Sequence, residues 1–156
     1  MNQYLYQIIR CSLITWGLLS ASLSFAHDVT GALGATPDAK DIYYVNCGSE
    51  AGDITTKLSA AIIDWSPVKP PRLLVRIWRT NVAVATIDPV DGDNNYGVFA
   101  NRRGGAKVYG VSVSKLPQKL GASDATRNYA ETYNLQYHCV TGTEHTDTDI
   151  AVVQNQ

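Results

Sequence analysis

The sequence is poor in charge: only 17% of its 156 residues are charged, and 13 Lys and Arg against 14 Asp and Glu leave a net charge of −1. With no basic field to meet polyanionic phosphates, nucleic acid is excluded as a partner. No stretch of 11 or more residues keeps apolar side chains at i, i+3, i+4 and i+7, which removes coiled coils and helical bundles. Internal repeats, low-complexity blocks and interdomain linkers are also missing, and a chain of this length buries one core. The one long apolar run, Cys11 to Phe25, is interrupted by Ser and Thr and falls short of the roughly 20 residues that span a bilayer.

What is present at the N-terminus reads as an export leader. Arg10 lies in a polar start, Cys11 to Phe25 is the apolar run, and the small residues Ser24 and Ala26 precede a polar change at His27. Cleavage is expected after Ala26, making residues 1–26 a signal peptide and His27 the first residue of a single mature domain, 27–156. No cysteine stands at that cut to carry a lipid, and no transmembrane anchor is left after it. Loss of Arg10 reduces the 13 basic residues to 12 against 14 acidic ones, a mature net charge of −2. Of three cysteines, Cys47 and Cys139 remain. In an oxidising secreted or periplasmic compartment they are expected to form one disulfide between the first and last strands, leaving no thiol for catalysis or metal ligation.

The mature chain alternates apolar and polar residues with a period of two, and its glycines, 11 of the 12 in the full sequence, supply turns. Strands are expected at Asp41–Cys47 (Tyr43, Val45 and Cys47 on one face), Ile54–Ile63, Arg72–Thr80 (Leu73, Val75 and Ile77 inward), Val82–Ile87, Lys107–Lys115 (Tyr109, Val111, Val113) and Glu131–Val140 (Tyr133, Leu135, Tyr137, Cys139). Pro67, Pro70 and Pro71 make a loop. Pro117–Asn128 is a longer connection, and Thr141–Gln156 loses the pattern, as a loose tail or a short edge strand. Seven to eight such strands with one disulfide give an all-β, two-layer antiparallel sandwich of Greek-key or jelly-roll connectivity.

The segments Asp41-Ile42-Tyr43-Tyr44-Val45, Arg72-Leu73-Leu74-Val75-Arg76, Gly104 to Val113 and Tyr133-Asn134-Leu135-Gln136-Tyr137, in that order, resemble the bacterial pre-peptidase C-terminal domain and related jelly-roll modules of secreted proteins. The resemblance covers roughly Asp28 to Val140; the cysteine pair is not a hallmark of that family. It implies an accessory or binding role rather than catalysis.

Four sets of residues carry candidate chemistry. Asp88, Asp91 and Asp93, with Asn94 and Asn95, put hard oxygen donors suited to Ca²⁺ in one loop. No Glu holds the twelfth position of an EF-hand loop, and the expectation is a plain Asp-Gly turn. His27, once N-terminal, offers an amine and an imidazole that chelate Cu²⁺ if His138 or His145 arrives in space, an arrangement that resembles the histidine brace of secreted copper proteins and lytic polysaccharide monooxygenases. Against this, His138 falls on the polar face of its strand and His145 in the tail. Arg72, Leu74, Arg76 and Trp78 alternate outward, so that Arg72, Arg76 and Trp78 form a cationic and aromatic stripe able to grip a carbohydrate or an acidic partner. Gly110-Val111-Ser112-Val113-Ser114 lacks the last glycine of a nucleophile elbow and sits within a strand.

The sequence therefore points to an exported, non-catalytic β-sandwich that binds an envelope, carbohydrate or protein partner, with no cofactor required. The alternatives are a copper-binding protein or copper-dependent oxidase using His27, and a structural envelope component.

Overall fold

The computed structural model describes residues 27–48, 54–116, 128–142 and 144–156; the segment expected as a leader and most of Pro117–Asn128 lie outside them. The chain forms ten strands and no helix among the described residues: β1 (His27–Leu33), β2 (Lys40–Cys47), β3 (Lys57–Ser66), β4 (Leu73–Arg79), β5 (Val82–Ile87), β6 (Ala100–Arg103), β7 (Val108–Lys115), β8 (Glu131–Thr141), β9 (Glu144–Thr146) and β10 (Thr148–Gln154). One sheet, A, has the order β1-β8-β3-β6, with β9 also pairing β8; the other, B, has the order β10-β2-β7-β4-β5. All pairings are antiparallel.

The alternating apolar residues form the layer between the sheets. Tyr43, Val45, Leu58, Ala60, Ile62, Leu73, Val75, Ile77, Tyr109, Val111, Val113, Tyr133, Leu135 and Tyr137 are all buried. Each strand contributes every second side chain because successive Cβ atoms leave opposite faces of the pleat. Ile77 lies fully buried in the centre of this layer, so Ile77→Ala is expected to leave a cavity and cost about 2–5 kcal/mol in urea unfolding. Cys47 and Cys139 close the layer at one end as a disulfide, with Cα atoms 5.4 Å apart. They belong to the second and eighth strands, not to the first and last.

Three strands that the sequence signals weakly complete the two sheets. β1 precedes the expected first strand. Its inward positions are His27, Val29, Gly31 and Leu33, opposite Tyr137, Leu135, Tyr133 and Glu131, and the glycine is needed because the Tyr133 ring lies across it. β6 is four residues long with one buried apolar side chain, Ala100. The C-terminal segment, expected as a loose tail or a short edge strand, is an edge strand: β10 pairs with β2 from Thr148↔Cys47 to Gln154↔Ile42. Backbone hydrogen bonds hold it, and of its apolar residues Ile150 packs against the core while Val152 and Val153 are exposed. Beyond it the Gln156 carbonyl accepts from Gly34 N (2.6 Å), and the Gln156 amide donates to Asp41 Oδ1 (2.7 Å). Ile54, expected to share the core face with Leu58, is exposed and precedes β3.

Among the described residues no helix is long and apolar enough to cross a membrane. The disulfide is compatible with an oxidising compartment.

Candidate functional site

Sheet B presents a groove of about 410 Å³ on its outer face, lined by Lys40 and Ile42 of β2, Arg76 and Trp78 of β4, Ser112 of β7 and the β4–β5 turn. The cross-strand registers build it. Trp78 pairs with Gly110 and Arg76 with Ser112, while Tyr44 pairs with Gly110 from the other side. A Cβ at Gly110 would collide with the indole, so the Trp78 ring lies against bare backbone beside its partner strand. Tyr44, Gly110 and Trp78 thus form one row in which two aromatic rings flank a glycine, with Arg76 and Lys40 supplying positive charge alongside. The turn that closes the groove is tight, with Thr80 at a φ of 53°.

Of the outward stripe, the structure brings Arg76 and Trp78 together and leaves Arg72 out. Arg72 precedes β4 and its guanidinium donates to the Pro89 carbonyl at 3.4 Å. Lys40 and Tyr44 were not singled out from sequence, although both fall on the outward phase of the Asp41–Cys47 pattern.

The acidic loop does not bring Asp88, Asp91 and Asp93 onto one point. Asp88 is buried and accepts from Asp64 N (2.9 Å) and Val90 N (3.1 Å). Asp93 accepts from Asn95 N (2.8 Å) and Asn95 Nδ2 (3.1 Å), bonds that hold its carboxyl below the usual range. Those are the hydrogen bonds of turns rather than a cation cage. Instead, Asp88 joins a set of buried ionisable groups at this end of the sandwich: Asp41, Asp64, Lys115 and Glu131. Asp64 ties three segments together, accepting from Leu73 N at its carboxylate (2.9 Å), donating its amide to Asp88 and accepting from Gly92 N at its carbonyl (2.7 Å). Lys115 donates to the carbonyls of Gly34 (2.7 Å) and Thr36 (2.8 Å). Asp41 accepts from the Tyr133 hydroxyl, which lies 2.6 Å from that of Tyr43.

Both carboxylate oxygens of Glu131 and one of Asp64 are buried without a hydrogen-bond partner. Burial, then the charges of Asp64 and Asp91, push Glu131 up to about 8 against the opposing pull of Lys115 and Lys69. Burial and the charge of Asp91 push Asp64 up to about 7, with the Leu73 amide opposing. The signal for these residues was in the alternation. Asp41, Asp64, Lys115 and Glu131 each stand two positions from an inward apolar residue, at Tyr43, Ile62, Val113 and Tyr133.

At the opposite end, beside the disulfide, two histidines stack and the third opens the neighbouring strand. His138 lies on the outer face of β8, yet it is buried, not solvent-facing: His145 of β9 stacks on it with ring centroids 4.3 Å apart and planes within 16°, and Phe99 lies at 6.1 Å. His145 belongs to a strand rather than to a tail. It pairs with Val140, which makes it the diagonal neighbour of His138. His27 opens β1 opposite Tyr137, with the two rings 5.9 Å apart. Burial, followed by the charges of His145 and His27, pushes His138 down to about 4. The Nδ1 atoms of His27 and His138 are both buried without a hydrogen-bond partner. Among the described residues no three His, Cys, Asp or Glu side chains are grouped to hold a metal ion.

No family model, curated protein or solved structure matches the chain.

Proposed function

We propose that this is an exported, non-catalytic β-sandwich protein that binds an acidic carbohydrate of the cell envelope in the groove on the outer face of sheet B. The observation that carries the reading is the Trp78 ring laid over Gly110 next to Arg76 and Lys40. A flat aromatic surface on a rigid sheet suits the apolar face of a sugar ring, and the two cations suit a carboxylate or sulfate on it. The resemblance to secreted jelly-roll modules, the leader-like N-terminus and the disulfide support the export and the accessory role.

Trp78→Ala is expected to weaken binding of acidic oligosaccharides by about 2 kcal/mol while leaving the melting temperature almost unchanged, because the indole covers the outer face and not the core. A glycan array followed by calorimetric titration measures the first, and a thermal melt the second. A large melting loss with unaltered glycan capture would refute the reading.

A further inference from the structure

On the disulfide side, the inward faces of three strands end in cations. Ile77 is followed two positions on by Arg79, Ala100 is followed by Arg102, and Tyr109 is preceded by Lys107. The alternation that builds the core thus carries these side chains to the mouth between the sheets. Arg79 donates to the Gly104 carbonyl and lies 5.8 Å from the Tyr109 ring. Arg102 donates to the carbonyls of Val82 (3.2 Å), Arg79 (3.3 Å) and Arg103. Neutral acceptors fix both guanidiniums in place and leave their charge uncancelled. Beside them Lys57 of β3 stands directly opposite Arg103 of β6, a like-charged pair that a sheet carries at a cost. Among the described residues no carboxylate pairs with any of these five cations. A net charge of −1 conceals the cluster, because the buried acids Asp41, Asp64, Asp88 and Glu131 gather at the opposite end of the sandwich. Glu144 and Asp147 lie on the disulfide side, but beside β9, at the far edge from β6.

Two further observations select the partner. Ile54, Val82 and Val108 are 75%, 54% and 54% exposed, and all three stand at this same end: Ile54 just before β3, Val82 at the start of β5 and Val108 at the start of β7. Aliphatic side chains among cations match the boundary between lipid headgroups and acyl chains, whereas a soluble polyanion offers them only charge. The apolar run Cys11 to Phe25 also joins the fold here, at His27, which opens β1 on the disulfide side. Wherever that run enters a bilayer during export, this end of the sandwich faces the lipid.

We propose that the disulfide end of the sandwich docks on an anionic phospholipid surface. Lys57, Arg79, Arg102, Arg103 and Lys107 meet the phosphates, and Ile54, Val82 and Val108 enter the headgroup layer. The proposal is independent of glycan capture in the groove on sheet B, which shares only Val82 and the β4–β5 turn with this surface.

The test is cosedimentation of the exported protein with phosphatidylcholine vesicles, with and without one-third phosphatidylglycerol. Its N-terminus is read by mass spectrometry, so that no part of the apolar run contributes. Binding is expected only with the anionic lipid, and weakens as salt rises. A cation near such a surface contributes about fivefold, so Lys57→Gln, Arg103→Gln and Lys107→Gln together should lower affinity about 100-fold. The first two relieve a like-charged pair, so the melting temperature of this triple variant should hold or rise, which separates lost docking from lost folding. Arg72→Gln removes the same charge at the opposite end and should change affinity by less than about twofold. Ile54→Gln and Val108→Gln should each lower it about fivefold. Equal binding to both kinds of vesicle, a triple variant that binds as tightly as the parent, unchanged affinity on both Ile54→Gln and Val108→Gln, or capture by dextran sulfate with none by the vesicles would overturn the proposal.

Discussion

Raising the pH from about 6.5 to about 8 is expected to weaken the fold by roughly 2 kcal/mol, the reverse of the ordinary trend for ionising carboxylates. The cause is the pair of buried acids at the polar end of the sandwich, Asp64 held up to about 7 and Glu131 up to about 8. In the unfolded chain both lose their protons near pH 4, while the folded protein keeps them until its own higher values. The stabilisation is therefore complete below the unfolded value and is lost as pH rises through the folded values. His138, held down to about 4, acts in the opposite sense, but only below its unfolded value near 6.5. Above that pH the acids stand alone. Asp88, Asp91, Lys115, Lys69 and Arg72 surround them and set the balance of charge.

Urea unfolding at the two pH values reads the effect directly, and Glu131→Gln should remove most of it, with Asp64→Asn removing the remainder. Stability that stays level or climbs across this window would show that both carboxyls are charged inside the fold. Such a charge pattern is unusual for a core end, and the unpartnered oxygens of Glu131 and Asp64 are its structural mark.

Reducing the Cys47–Cys139 bond is expected to cost about 2–5 kcal/mol. The bond joins residues 92 apart, and in the chain-entropy description a loop of that length restricts the unfolded chain by roughly 4–5 kcal/mol, with less realised where that chain retains structure. Against a total of about 5–15 kcal/mol this is a large share. Thermal melts with and without reductant, together with the Cys47→Ala, Cys139→Ala double variant, measure it. A melting temperature indifferent to both would show that the sheets hold together through the tyrosine and aliphatic layer alone. Quantitative alkylation of either cysteine in denatured, unreduced protein would show that the bond does not form in solution.

The all-β class, the inward faces of β2, β4, β7 and β8, and the cysteine pair were legible in the sequence because each rests on local alternation. Val82–Ile87 matches β5 in both bounds, and Leu73, Val75 and Ile77 are buried as their phase requires. Strands that owe their existence to a partner were not legible, or, as with β10, only as one of two alternatives. β6, β9 and β10 have few inward apolar side chains and are held by backbone hydrogen bonds to β3, β8 and β2, an interaction that leaves no trace in hydropathy. The same alternation placed Asp41, Asp64, Lys115 and Glu131 inward, and their polarity concealed it.

The candidate sites divide along the same line. Sequence alone determined which side chains leave β4 outward and that His27 follows a leader-like segment, since both are properties of neighbouring residues. It could not decide that Gly110 lies under Trp78, that Arg72 turns to Pro89 rather than to the groove, or that His145 stacks on His138 while His27, more than a hundred positions earlier, opens the strand paired with the same edge of β8. Those are matters of strand order and register, fixed by which edges pair when two sheets close over a common core, and in an antiparallel sandwich that choice depends on the whole chain.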